Sequence, residues 1–388
     1  IMKIRLVLLT AVTLSLLGCG KSAIHFMREG GPVADAPKVE QTASLHKVWR
    51  RGLGAGYRNS NFLLTPSIQD GRIYAAEPRG RIFALDAQTG KVIWKHDLDQ
   101  PLAAGMGAGQ NRAVVATREG EVVALDAERG EIQWRQKMGT EILARPVLTD
   151  QRVLLRSGDG QVIGADLNSG DIVWRVRRSV PALTVRGLSA PLVIDNVALI
   201  GFASGRLSGI DIGSGAELWS ARIFRAKGSN EVNRLVDIDA DPYRMGERLV
   251  IAGFQAKISA LSLKTRRIDW ESDHSTLRPL SSVGEILLVT TDDGSVRGFD
   301  AVSGAGVWSQ SALLGRGVSG PYGLGETGLA VVGDYKGILY LIDAQTGGLV
   351  GRKKGSGGAV LGIFGAGAAG QFITLSENGS LTAWSVAN

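Results

Sequence analysis

Apolar and polar positions alternate in short bursts along most of the chain, and Gly-containing turns separate the bursts. The segment Gly80-Arg-Ile-Phe-Ala-Leu-Asp86-Ala-Gln-Thr-Gly90-Lys-Val-Ile-Trp94 shows the unit. Arg81 to Leu85 alternates and is rich in apolar residues, the pattern of a half-buried strand. Asp86 is placed to accept hydrogen bonds from backbone N–H groups ahead of it and so to close an Asx-type turn. Gly90 supplies the positive φ of a tight hairpin. Val92 and Trp94 fall two apart on the following strand, which predicts one shared face, with the indole sealing a contact to the next unit.

The unit returns around Asp126, Asp166, Asp211, Asp300 and Asp343. A degenerate copy, Ala256 to Trp270, keeps the strand and the Trp but has Ser262 and Arg266 at the turn positions. A last copy of the strand, Gly379 to Ser385, meets the C-terminus before any further strand. A period of about forty residues made of short β-type runs predicts a propeller, with one four-stranded blade per unit. The copies give eight blades. The outer strand missing from the last blade has a match at the other end, Leu45-His-Lys-Val-Trp49-Arg50. Pairing the two ends closes the ring and removes two sheet edges. The expected fold is therefore all-β, an eight-bladed β-propeller over residues 45–388 closed by an N-terminal strand. Gly351 stands in the seventh Trp slot, which predicts weaker packing there. Repeated residues rarely serve one unique site, so the repeat Asp, Gly and Trp residues are scaffold, and function is sought where the repeat breaks.

The N-terminus changes the picture. Lys3 and Arg5 precede an apolar run, Leu6 to Leu17, that is too short to span a bilayer. The run ends at Leu16-Leu17-Gly18-Cys19, and Cys19 is the only cysteine. This segment resembles a bacterial lipoprotein signal, which implies removal of residues 1–18 and lipidation of Cys19. Gly20, where an Asp favours retention at the inner membrane, points to the outer membrane. Residues 19–44 then read as a lipidated N-terminus and flexible tether. The formal net charge is +7, and no Lys/Arg run carries interleaved aromatics. That argues against nucleic acid and fits an acidic partner or an anionic membrane surface.

Candidate chemistry is sparse. His25, His46, His96 and His274 are scattered, and neither HExxH nor CxxC is present. Asp292-Asp293-Gly294 and Ser157-Gly158-Asp159-Gly160 look like short cation loops, but they fall where Asp-Gly hairpin turns are expected. Gly105 to Gly109 and Gly365 to Gly370 have no helix pattern behind them, so neither reads as a dinucleotide loop. No catalytic residue, metal or cofactor is assigned. The Ala-x-Asp-x-x-Thr-Gly-x-x-x-Trp core, Ala84 to Trp94, resembles the repeat of pyrroloquinoline-quinone propeller enzymes. That resemblance implies a rival function, a periplasmic quinoprotein dehydrogenase. Such enzymes often carry adjacent cysteines over the cofactor, which this chain lacks. Signal, tether and eight blades together are similar to the BamB family, lipoproteins of the outer-membrane β-barrel assembly machinery. This second resemblance covers the whole chain. It implies a non-enzymatic scaffold on the periplasmic face of the outer membrane that binds the periplasmic domains of BamA, the barrel protein of that machinery.

The repeat breaks twice. The widest intervals run from Asp166 to Asp211 and from Asp211 to Ser262. The extra residues fall in connections from the outer strand of one blade to the inner strand of the next, on the face opposite the Asp86-type turns. The first insertion is Arg177-Arg-Ser-Val-Pro181-Ala-Leu183-Thr-Val185-Arg186-Gly-Leu188-Ser-Ala-Pro191. The second holds Asn233-Arg234-Leu-Val-Asp237-Ile-Asp239-Ala-Asp-Pro242. By the BamB resemblance, Leu183, Val185 and Arg186 fall on an apolar-x-apolar-Arg stretch that contacts BamA, with Val185 where Leu is usual. Asp237 and Asp239 fall on the Asp-x-Asp of the same contact. A purely internal role is the alternative, with Leu183 and Val185 as core and Arg186 paired to Asp237 or Asp239. Exposed blade edges could also receive nascent outer-membrane protein strands by β-augmentation.

Overall fold

The computed structural model describes residues 34–58, 60, 62–178, 189–225, 237–253, 255–355 and 357–387. Eight four-stranded antiparallel sheets make an eight-bladed β-propeller. Blade one, from inside out, is Ser67–Gln69, Arg72–Ala76, Arg81–Asp86 and Val92–Asp97. Blades two to seven repeat this order through Leu349–Lys354, the outer strand of blade seven. Blade eight joins the two ends of the chain. Val360–Gly365, Gln371–Ser376 and Ser380–Ala387 are completed by Ser44–Gly52, paired from Ser44↔Ala387 to Gly52↔Ser380.

The repeated residues do the work expected of them. Asp86 Oδ1 accepts the Thr89 N–H at 2.7 Å, and the Gly90 N–H closes on Asp86 O at 2.8 Å with φ +65° at Gly90. The indoles of Trp49, Trp94, Trp134, Trp174, Trp270 and Trp308 reach into the next blade. Trp94 Nε1 donates to Ala127 O at 2.9 Å, and the indole lies against Gly130, where a Cβ would meet it at 2.5 Å. Trp49 closes the ring in the same way, donating to Ala87 O at 3.0 Å. In the degenerate copy Ser262 Oγ accepts the Thr265 N–H at 3.1 Å. Arg266 takes φ +58° and lays its guanidinium 5.3 Å from the centre of the Trp219 ring, which is only half-buried.

Two expectations need correction. Val92 and Trp94 do not share a face. Ala84 pairs with Trp94 and Leu85 with Val92, so Ile93 is an extra residue in a bulge. Trp94 is consequently buried while Val92 is 42% exposed. The Gly351 slot is also not left open. Opposite each repeat Trp the third strand carries a small residue such as Ala84, Ala124, Gly164 or Gly298. Opposite Gly351 it carries Leu341, and a Cβ at Gly351 would sit 3.1 Å from Leu341 Cδ1 and 2.4 Å from Ala43 O. Leu341 and the incoming chain fill the space that Trp fills elsewhere.

That incoming chain is the described part of the expected tether. The N–H groups of Thr42 and Ala43 donate to Val350 O at 2.9 and 3.0 Å. Arg352 Nη1 donates to Pro37 O at 2.7 Å, and Arg316 Nη1 donates to Ala34 O. Residues 34–43 thus lie as a strap across blade seven, because the carbonyls of a chain with no sheet partner are satisfied by arginines.

The Trp–Gly seal has a measurable consequence. Gly130→Ala forces a Cβ into the Trp94 ring at φ +73°, whereas Gly71→Ala meets nothing within 4 Å at φ +72°. The first change should cost about 2–4 kcal/mol, left-handed strain plus overpacking, and the second about 1–2 kcal/mol of strain alone. Urea midpoints compare them, and equal losses would mean that the indole contact carries no weight.

Candidate functional site

Antiparallel order fixes what each face of the ring holds. Third-to-outer turns such as Asp86 to Gly90 share one face with the inner-to-second turns, where the Ala87 N–H meets Gly71 O at 2.9 Å. The opposite face holds the second-to-third turns and the connections between blades. Both insertions leave from that opposite face, on either side of blade four, Leu192–Ile194 to Glu217–Arg222. The connection 53–66, from blade eight to blade one, lies on this face as well. It packs inward on Leu53, Tyr57 and Leu64, and the Tyr57 hydroxyl donates to Ala76 O at 2.8 Å.

Cys19, Leu183, Val185 and Arg186 lie outside the described residues. Asp237 and Asp239 are described, and they are 3% and 8% exposed, inside the face rather than on it. Asp241 stands beside them at the edge of this group and is itself exposed. Desolvation around its carboxyl pushes it up, against the opposing pull of Arg145, the Ala190 N–H and Arg156. The buried cation in this group is Arg156, from the second strand of blade three, Arg152–Arg156. Burial lowers its guanidinium to about 10, and the carboxylates of Asp239, Asp241 and Asp237 act the other way. Arg156 therefore stays protonated at neutral pH and offsets part of the acidic charge below the insertions.

Sequence reasoning missed Arg156, although a signal was there. The repeat position is small or neutral in other blades: Ala76 opposite Ile82, Ala116 opposite Val122, Gly201 opposite Leu207 and Gly333 opposite Leu339. In blade three it is Arg156, opposite Val162. A charge at a core position of a repeat is a break as informative as an insertion. Gly201 and Gly253 were missed too. A Cβ on Gly201 would lie 2.2 Å from Ile238 Cγ2, and one on Gly253 would lie 1.9 Å from Asp237 O. The two glycines clear the seat on which the second insertion returns to the ring.

The acidic turns are occupied by their own hairpins. Asp293 Oδ1 accepts from the Thr291 and Ser295 hydroxyls, both at 2.6 Å, and Arg297 holds Oδ2 at 3.2 Å. Asp159 accepts from Thr140, Gln161 and Arg177 at 3.0, 2.7 and 3.1 Å. His46 and His274 bond neighbouring serine hydroxyls, each at 3.0 Å. Among the described residues no group of His, Cys, Asp and Glu is arranged to hold a metal ion.

Comparison with known proteins places this geometry in a family. The family description "Outer membrane protein assembly factor BamB" matches residues 44–105, 78–310 and 292–388. The outer membrane protein assembly factor BamB of Pseudomonas aeruginosa is 40% identical over 346 residues, 89% of this chain and 90% of that protein. The crystal structure of BamB from Moraxella catarrhalis superposes with a TM-score of 0.80 at 26% identity, covering 88% of this chain and 100% of that one. A quinohemoprotein alcohol dehydrogenase from Pseudomonas putida superposes at TM-score 0.69 over 88% of this chain and 76% of its own, but at 11% identity it shares the fold alone. The chain belongs to the BamB family of outer membrane protein assembly factors.

Proposed function

We propose that the chain is a non-enzymatic scaffold that docks the periplasmic domains of BamA through the face carrying the two insertions, and so assists assembly and insertion of β-barrel proteins into the outer membrane. The observation that carries this is the emergence of both breaks in the repeat on one face, at neighbouring blades of a closed ring. Rigid scaffolds present binding residues on such departures. Leu183, Val185 and Arg186 are the direct contacts. Asp237 and Asp239, being buried, act from beneath as supports of the second insertion. Residues 1–18 are the signal, Cys19 carries the lipid, and the tether spans the stretch from Cys19 to the strap on blade seven. The ring is thereby held on the periplasmic side of the outer membrane, where nascent outer-membrane proteins pass.

Co-purification from membranes tests this, using the native chain and its Arg186→Ala and Cys19→Ala forms. A planar guanidinium beside aliphatic side chains is a common interface anchor. Arg186→Ala should weaken BamA capture by about 2 kcal/mol or more while the ring stays folded. Cys19→Ala should keep BamA affinity in solution but lose membrane retention and acyl label. Undiminished capture by Arg186→Ala removes the site assignment. A saturable pyrroloquinoline-quinone signal with dye reduction would favour the dehydrogenase instead.

A further inference from the structure

We infer that Arg156 is a positioning residue for the docking face: one buried guanidinium fixes the returning ends of both insertions in a single arrangement. The inference rests on the docking function proposed above. Arg156 Nη1 donates to Ser189 O at 2.9 Å and to Ser189 Oγ at 2.8 Å, where the first insertion rejoins the ring. Ser189 Oγ donates onward to Ile238 O at 3.0 Å, where the second rejoins it. A parallel link joins the same two segments, the Ala190 N–H donating to Asp241 Oδ1 at 2.6 Å. One chain of hydrogen bonds therefore runs from blade three through the first return to the second. The Phe202 ring centre lies 5.6 Å from Arg156 Cζ and flanks the guanidinium.

The arrangement makes the two insertions interdependent although different blade connections carry them. Asp237 and Asp239 bring two carboxylates to a buried seat, Asp241 adds a third at its edge, and the charge of Arg156 acts on all three. Loss of that cation removes one source of charge compensation from the seat. Ser189 would at the same time lose the donor that orients its hydroxyl toward Ile238. Gly201 and Gly253 leave room for the second return but supply no hydrogen bond from a side chain, so orientation falls to Ser189 and the charges. A partner that reads both insertions meets a preorganised surface, and it is spared the cost of ordering two loops separately.

Amide hydrogen exchange on the full chain tests this, with capture of purified BamA periplasmic domains measured alongside. Arg156→Ala should speed exchange in both 189–194 and 237–245 by about tenfold or more, the effect of one lost buried charged hydrogen bond, and leave 72–86 in blade one protected. Arg156→Lys, which keeps the charge and loses the fork, should recover part of the protection. Ser189→Ala should loosen 237–245 although Arg156 is intact. Capture should weaken in the same order. Loosening confined to 189–194, or absent from both segments, overturns the inference. If Arg156→Ala unfolds the ring, Arg156→Lys and Ser189→Ala decide, and unchanged exchange of 237–245 in both overturns it. If both segments loosen and capture is unaffected, the coupling stands and the docking function fails.

Discussion

Removal of residues 1–52 abolishes the cooperative unfolding of the ring, whereas removal of residues 1–33 leaves it in place. The longer deletion takes away Ser44–Gly52, the outer strand of blade eight, and with it the buried side chains of Leu45 and Trp49. Burying a Leu contributes about 1.5–3 kcal/mol, and loss of a buried Trp side chain costs about 3–5 kcal/mol. Blade eight would also expose the edge of Ser380–Ala387, and the Trp49 contact to Ala87 would vanish, so the ring would open between blades eight and one. The combined loss is comparable with the whole stability of a typical domain, about 5–15 kcal/mol. Removal of residues 1–41 falls between. It keeps the strand and the N–H bonds of Thr42 and Ala43, but it strips the carbonyls of Ala34 and Pro37 from Arg316 and Arg352. That should cost about 1–3 kcal/mol. Thermal melts of the three truncations give the order directly. Coincident transitions for the deletions ending at 33 and 52 would refute closure by the N-terminal strand.

The difference between these truncations shows what the sequence carried openly and what it did not. The Asp86–Gly90 turn, the Trp94 seal and the match between Leu45–Arg50 and the other outer strands are local signals at fixed spacing, so the blade count and the closure were readable. The bulge at Ile93 was not, because a two-residue alternation cannot register one extra residue. The strap was not readable either. Its bonds to Arg316 and Arg352 are made by backbone carbonyls of Ala34 and Pro37, which carry no side-chain signature. At the docking face, the intervals between repeat aspartates located the insertions. They could not show that Asp237 and Asp239 turn inward, since the buried cation whose charge opposes theirs, Arg156, comes from an earlier blade. Alignment of the repeats at the second strand would have exposed Arg156 against Ala76 and Ala116. The third-strand position would likewise have exposed Leu341 as the replacement for a missing Trp.

Asp334→Ala should be the most damaging single substitution in blade seven, costing about 3–5 kcal/mol as the loss of one partner from a buried ion pair. Asp334 follows the second strand of that blade, Leu329–Gly333, and is fully buried. Its Oδ1 accepts the N–H groups of Lys336 and Ile338 at 2.9 and 2.8 Å and so builds the turn into the third strand. Its Oδ2 receives Arg316 Nε at 2.9 Å, Arg316 Nη2, and the Tyr340 hydroxyl at 3.2 Å. Arg316 is 2% exposed and comes from the connection between blades six and seven, so the pair ties two blades and, through Ala34, the strap. Alanine at 334 would leave that guanidinium buried without its counter-charge and the turn without its acceptor. Asp334→Asn keeps an acceptor for the two N–H groups but sets an NH2 donor against the donors of Arg316 and Tyr340. It loses the charge and the second acceptor, and should cost less than Asp334→Ala only by the turn it retains. Arg316→Met combined with Asp334→Ala removes both charges and should cost less than the two single changes added together. Urea denaturation of the four variants measures the cycle. Additive losses, or a loss below about 1 kcal/mol for Asp334→Ala, would show that the pair is screened by water and does not hold the blades together.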